Sequence, residues 1–498
     1  MNGITQKLLL LLNHVLVPFA VLMLAVIACY YGIWHAYFAT RDDFNILGWI
    51  MRQPTLWDAV QGYGNGVRYL LFGIVWIRTQ LFGMTPAPYY WTSLVQHALV
   101  GLLIYWMVLS WRIPRAQGRL VALMTALFFV TTFSAYEVVT NISASSYSLR
   151  TLFYLPILLF FAAYLRRQRR RDYAAALGFY VLLVFLADYA LSIPLVLLAY
   201  HYTIGQAPLH WGVPRWRDLR IHLPFWLLWV IHVALQFNYL RSGSSEAIYS
   251  EAAYTPGLHM ASNLLNLVFL LIPNVHVTPI QNFLNQFFSP EVVNLIWQLS
   301  LVLALVGHGL ALYGLWRGTP VIRFAIALIY LPFLQYTLWQ DGYADAPRYL
   351  YLSAIGYSIL VVLLCVLLQQ HLAQWTLPGA RWLVPVMFSG YHGQRIFAQI
   401  WIRQQVANGQ FRRTVVERLA RNLAMCPGVP TSILKFRNRN LKILLSCYFV
   451  IKRTVTCEIL RDRKLRLQLL CPIRLMRRPI GSKFLRYFPT EDLKTLRM

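Results

Sequence analysis

Two adjacent carboxylates, Asp42 and Asp43, follow the first long apolar run of the chain, Leu8 to Trp34, which carries no charge. At about 1.5 Å of rise per residue, such a run crosses a bilayer with some tilt. Carboxylates just past its end stand where water meets hydrocarbon. A carboxylate there can take a proton from an acceptor hydroxyl. Two together can hold a divalent cation that neutralises a departing phosphate. The competing reading is a solvated pair capping a helix that starts near Phe44.

Three further ionisable residues join them as site candidates. Glu137 stands in the apolar stretch Ser-Ala-Tyr-Glu-Val-Val-Thr-Asn, where it needs a partner or water; it is either a second acidic site residue or an interfacial side chain. Asp188 interrupts the apolar run Tyr173 to Thr203, and both a structural role and a place in the site suit it. Arg348, in Pro-Arg-Tyr-Leu-Tyr-Leu, suits a lipid phosphate, which a guanidinium grips with two parallel hydrogen bonds; a salt bridge to Asp345 or Asp341 is the alternative. Any divalent cation would fall to Asp43 and Glu137. His97 and His308 read as packed, hydrogen-bonded core histidines, and the Gly62–Gly66 stretch reads as a loop. Neither HExxH nor GxSxG occurs.

The elements that must position these residues are apolar helices. The 498-residue chain is 58% hydrophobic and only 12% charged, against about 25% charged for a soluble protein. Its uncharged stretches read as helical spans, because backbone in hydrocarbon must satisfy its own hydrogen bonds. The expected fold class is all-α: a polytopic, multi-pass integral membrane protein with about 10–11 transmembrane helices. The net charge of +28 sits in short basic turns between apolar runs, which is an orientation signal and not a nucleic-acid footprint. Placing the turns 112–119, 166–171, 215–220 and 317–323 in the cytoplasm sends Asp42, Asp43, Glu137, Asp188 and Arg348 to the outer side.

A membrane domain over residues 1–390 follows, with outer loops near 35–88 and 134–150 and an outer surface segment near 241–290. Within the first loop, Gly66 to Phe82 suits a helix lying in the interface. The remainder, 391–498, is a basic tail, amphipathic or partly disordered, with 23 Lys and Arg against 5 Asp and Glu. Its composition fits anionic lipid. The abrupt change after about Ser432 is also what a shifted reading frame would produce. The six cysteines form no CxxC pair, so neither zinc nor a disulfide framework is expected.

Several of these segments, in order, resemble the GT-C-type membrane glycosyltransferases, most closely the transmembrane O-mannosyltransferase branch. The resemblance runs over about residues 1–370. It includes Arg-Asp-Asp-Phe after the first span, Pro-Tyr-Tyr-Trp-Thr-Ser-Leu-Val-Gln-His ending at His97, and Tyr-Glu-Val-Val-Thr-Asn-Ile around Glu137. It continues with Ala-Asp-Tyr-Ala-Leu-Ser-Ile-Pro-Leu around Asp188 and closes with Arg-Tyr-Leu-Tyr-Leu-Ser from Arg348. The likeness implies inverting transfer of a sugar from a polyprenyl-phosphate donor to an acceptor hydroxyl, on the non-cytoplasmic face. It implies Asp42 or Asp43 as base, Glu137 as second acidic position and Arg348 as lipid-phosphate contact. The chain departs from the branch at Ala135-Tyr136, Ala144-Ser145 and Ala187-Asp188, and it lacks tetratricopeptide repeats. A lipid-linked glycan transporter or a non-catalytic assembly subunit are the alternatives; a transporter would carry ionisable residues at mid-span and a repeated helix pattern.

Overall fold

Proline marks the starts of several helices in the computed structural model. Pro86, Pro290 and Pro320 each stand in the first turn, where the missing N–H is no loss. The structure describes residues 16–38, 41–62, 68–111, 115–186, 188–205, 209–210, 213–214, 216–241, 257–266, 285, 288–337, 347–374 and scattered positions from 399 to 414. These are helical apart from one antiparallel pair of two-residue strands, Leu209–His210 with Val213–Pro214.

The helices that matter for the site are α1 (Leu16–Cys29), α2 (Arg41–Ile50), α3 (Leu56–Gly62), α4 (Tyr69–Phe82), α5 (Pro86–Leu109), α6 (Arg115–Thr131), α7 (Tyr136–Thr140), α8 (Ser146–Arg167) and α9 (Arg170–Val184). A 3-10 turn, Asp188–Ser192, precedes α10 (Ile193–Tyr202). Later come α11 (Pro290–Arg317), α12 (Pro320–Tyr330), a 3-10 turn at Pro347–Leu350 and α13 (Ser353–Gln374).

Four helical stretches are long and apolar enough to cross a membrane: Pro86–Leu109, Ser146–Arg167, Pro320–Thr337 and Ser353–His371. Leu16–Cys29, Tyr69–Phe82, Gly118–Thr131 and Tyr189–Tyr202 are apolar but shorter. The expected count of about 10–11 spans is therefore matched by length and composition at four places among the described residues. The long apolar run from 173 to 203 is broken as the sequence suggests: α9 ends at Val184 and the chain resumes at Asp188. Asp341, Asp345, most of the segment 241–290 and nearly all of the basic tail lie outside the described residues. One contact from the tail's start is described: the Gln399 side-chain amide donates to the Cys29 carbonyl at 2.7 Å.

The core is built on α5, which packs against α1, α6 and α8. His97 is fully buried on α5; its Nδ1 lies 2.7 Å from the Tyr351 hydroxyl and its Nε2 2.9 Å from the Val130 carbonyl. It is the packed, hydrogen-bonded histidine the sequence suggested, and it ties α5 to α6 and to the segment entering α13. His308 lies 2.5 Å from the Tyr330 hydroxyl in the same manner. Small residues let these helices approach. A Cβ at Gly356 would stand 2.3 Å from the Ala325 carbonyl oxygen on α12, so α13 and α12 meet backbone to backbone there.

A small separate core of Ile50, Ala59 and Phe72 joins α2, α3 and α4. Thr55 and Asp58 cap α3 reciprocally: Asp58 Oδ2 accepts from the Thr55 N–H at 3.1 Å, and Thr55 Oγ1 accepts from the Asp58 N–H at 3.1 Å. The Leu70 N–H donates to the Phe185 carbonyl at 2.9 Å, fastening the start of α4 beside the break after α9.

Close packing at Gly356 gives a direct test. Gly356→Ala should lower stability by about 1–3 kcal/mol, the usual penalty for overpacking, read as a lower unfolding midpoint of the detergent-solubilised protein. An unchanged midpoint would show that α12 and α13 do not touch at this point.

Candidate functional site

The two adjacent carboxylates part company in the structure. Both lie in the first turn of α2, where the positive end of the helix dipole favours them. Asp42 is exposed, whereas Asp43 is fully buried. The Asp43 Oδ1 accepts the Ser143 N–H at 2.7 Å, so α2 is pinned to the loop between α7 and α8. Neither the cap nor the solvated pair describes Asp43; its carboxylate is a buried, oriented group.

Both carboxylates line a cavity of about 150 Å³. Four guanidinium side chains line it with them: Arg68, Arg78, Arg150 and Arg348. Ser145 and Ser146 bring the N-terminal end of α8 to the same wall, and with it the positive end of a 22-residue helix.

Arg348 has a carboxylate partner. Its Nη1 meets Glu137 Oε1 at 2.5 Å, and its backbone N–H donates to Oε2 at 3.1 Å. The described partner is Glu137, on α7; Asp341 and Asp345, the alternative the sequence offered, lie outside the described residues. Burial alone would lower the Arg348 pKa, but the Glu137 carboxylate more than offsets that and raises it above the ordinary value. Glu137 lines no part of the cavity itself and stands behind Arg348. Asn141 is buried beside it, with its amide 3.5 Å from Oε1.

Arg78 and Arg150 are the residues that sequence reasoning missed. Arg78, on α4, is 8% exposed; its Nη1 donates to Ser145 Oγ at 3.2 Å and its Nη2 to the Tyr89 carbonyl at 3.4 Å. Arg150, on α8, is 3% exposed, with its guanidinium over the Tyr147 ring at 4.6 Å and near Tyr189 at 5.9 Å. Among the described residues, neither forms a salt bridge. Burial lowers the Arg78 pKa to about 10, so at neutral pH this guanidinium stays charged at a cost to stability. The only trace in the sequence is a single cation in the otherwise uncharged α4; the structure exposes Ile77 and Leu81 and turns Arg78 inward.

The two carboxylates named for a cation are engaged by the protein itself. Glu137 gives both oxygens to Arg348, and Asp43 gives one to Ser143. No group of three His, Cys, Asp or Glu side chains able to hold a metal occurs among the described residues. Asp188 opens a 3-10 turn whose next residue, Tyr189, packs on Arg150; its own side chain lies outside the described residues. The arrangement sets a proton acceptor beside buried cations that can hold an anion.

The two kinds of guanidinium should respond oppositely to substitution. Glu137→Gln leaves Arg348 unmatched and should cost about 3 kcal/mol, the low end for breaking a buried pair. Arg78→Met removes an unmatched buried cation and should leave the unfolding midpoint equal or higher. A loss for Arg78→Met as large as for Glu137→Gln would contradict this assignment.

Compared with known proteins, the chain matches no family model and no curated protein.

Proposed function

We propose that the protein is an inverting glycosyltransferase that moves a sugar from a polyprenyl-phosphate donor to an acceptor hydroxyl. One observation carries the reading: Asp42 and Asp43 share a single cavity with buried guanidiniums from α4 and α8. A sugar phosphate needs both parts, a base for the attacking hydroxyl and cations for the phosphate that leaves.

Asp43 is the base. Its carboxylate is buried and held by Ser143, so it is aimed before substrate arrives. The acceptor oxygen attacks the anomeric carbon as Asp43 takes its proton. The bond from that carbon to the phosphate oxygen breaks, and its electron pair leaves with the phosphate. Arg78, Arg150 and Arg348 stabilise the charge there, in walls of low dielectric where such contacts are strong. Asp42, exposed at the mouth, guides the acceptor.

Helix direction supports a site on the non-cytoplasmic side. α8 begins at the cavity with Ser146 and ends 22 residues later at Arg167, beside Arg166, about 30 Å away at 1.5 Å per residue. α5 has Tyr89 at the cavity, and Arg166 donates to the Ser110 carbonyl just past its far end. The basic turn and the cavity therefore occupy opposite ends of the same helices. With the basic turn in the cytoplasm, the cavity opens on the outer face.

The test is transfer by purified protein from a panel of polyprenyl-phosphate sugars. Asp43→Asn should lower turnover about 10²–10⁴-fold, the usual contribution of a general base, while Asp42→Asn lowers it less. Wild-type turnover in both variants, or no transfer from any donor, would end the reading.

A further inference from the structure

The described part of the basic tail lies against the end of the bundle that holds the cavity. The path from α1 toward α2 fixes which end this is. Tyr30 meets the His97 ring at 5.9 Å, Trp34 stacks on Trp91 at 4.9 Å, and the Tyr37 carbonyl accepts from the Tyr90 hydroxyl at 3.0 Å. Each step moves toward the start of α5, where Tyr89 lines the cavity. The tail touches this path at two places. The Gln399 side-chain amide donates to the Cys29 carbonyl at 2.7 Å, and a Cβ at Gly409 would stand 2.9 Å from the Tyr37 backbone nitrogen. At Gly409 the two backbones therefore meet directly. Between these places Ile402 is buried in the main core, and Val406 packs against that core. Positions 399, 402, 406 and 409 share one side of a helix, while Arg403, Ala407, Gln410, Arg413 and Thr414 are exposed.

α13 ends at the opposite level. It begins just after the Arg348 turn, which lines the cavity, and its Tyr357 meets Phe128 on α6 at 5.8 Å. It runs antiparallel to α12: Ser353 Oγ donates to the Ile329 carbonyl at 2.7 Å, and Gly356 lies against Ala325, nearer the start of α12. That start adjoins the basic turn 317–323. The 22 residues of α13 span about 33 Å, so Gln374 stands far from the cavity end. A chain that leaves α13 at one end of the bundle and reaches Cys29 at the other has to change sides between them.

We infer that the protein crosses the bilayer once more between Gln374 and Gln399, so that the tail leaves the membrane domain on the same side as the cavity. The chain from 375 to 398 is longer than the ~20 residues a helical crossing needs, and its charged residues are Arg381 and Arg395. This topology sets the start of the basic tail opposite the basic turns, which charge bias alone would not suggest. It also gives residues 399–409 a task. They brace the segment that leads from α1 to Asp42 and Asp43, whatever chemistry the cavity performs.

Cysteine labelling of the full chain tests the topology. In the parent, Cys426, Cys447, Cys457 and Cys471 are replaced by Ser, and the buried Cys29 and half-buried Cys365 set the background. A membrane-impermeant maleimide is applied to sealed vesicles before and after permeabilisation. Arg52→Cys marks the cavity side and Arg169→Cys the basic-turn side; both positions are exposed. Gln410→Cys and Thr414→Cys should label whenever Arg52→Cys does, and Arg169→Cys should show the opposite accessibility. Should Gln410→Cys fail to fold, Ala407→Cys on the same exposed side takes its place. Tail sites that label with Arg169→Cys, or that divide between the two markers, overturn the added crossing. If the tail sites and Arg52→Cys label together from the cytoplasm, the added crossing stands and the outer-face placement of the cavity falls. Gly409→Leu forces the tail off Tyr37 and should lower the unfolding midpoint; an unchanged midpoint overturns the brace.

Discussion

A guanidinium buried in an apolar wall must be met by something, and the arrangement around Arg78 and Arg150 follows from that requirement. Arg78 is met by neutral acceptors, Ser145 Oγ and the Tyr89 carbonyl. Arg150 is met by aromatic faces. Neutral partners satisfy hydrogen bonds but not charge, so the field of both cations stays directed at the cavity. To supply even these partners, α4 must lie against the start of α5 and against the loop that opens α8. The position of α4 is thus tied to one buried cation.

The loop between α7 and α8 is the hub of this assembly. Asp43 reaches it through Ser143, Arg78 through Ser145, and Arg348 reaches α7, just before it, through Glu137. Three segments far apart in sequence thus each send one polar contact to residues 137–145. Below the hub, His97 links α5 to Val130 and Tyr351, so the helices that carry the loop and the Arg348 turn cannot slide independently. The hub converges because each arm ends in a buried or half-buried polar group that has no cheaper partner.

What the sequence disclosed and what it hid divide along a physical line. Apolar runs and the break at Asp188 were legible, because they are local properties of period, length and charge. Asp42, Asp43, Glu137 and Arg348 were legible as expensive residues in apolar surroundings. Their pairing was not. Arg348 has nearer carboxylates in sequence, and only the packing of α7 against the 347–350 turn selects Glu137. Arg78 and Arg150 looked like interfacial and loop-end cations, since a lone arginine on an apolar helix snorkels outward as readily as it turns inward. The division between Asp42 and Asp43 was hidden too, because it depends on which of two neighbours faces Ser143, a residue 100 positions away.

The retained charges also bear on stability. Buried ion pairs and lone cations are commonly replaceable by apolar residues with no loss, and often with a gain, of stability. Arg78 and Arg150 therefore contribute little to holding the helices together, while Glu137 is needed because Arg348 is there. A chain selected for stability alone would place methionine or leucine at both positions and close the cavity. Instead the fold keeps an open space, two guanidiniums without a salt bridge among the described residues and an oriented carboxylate in one place. Strain of this kind persists where a bound anion removes it. The ligand would then complete the electrostatics of the native state, and binding and stability would rise together as the cavity fills.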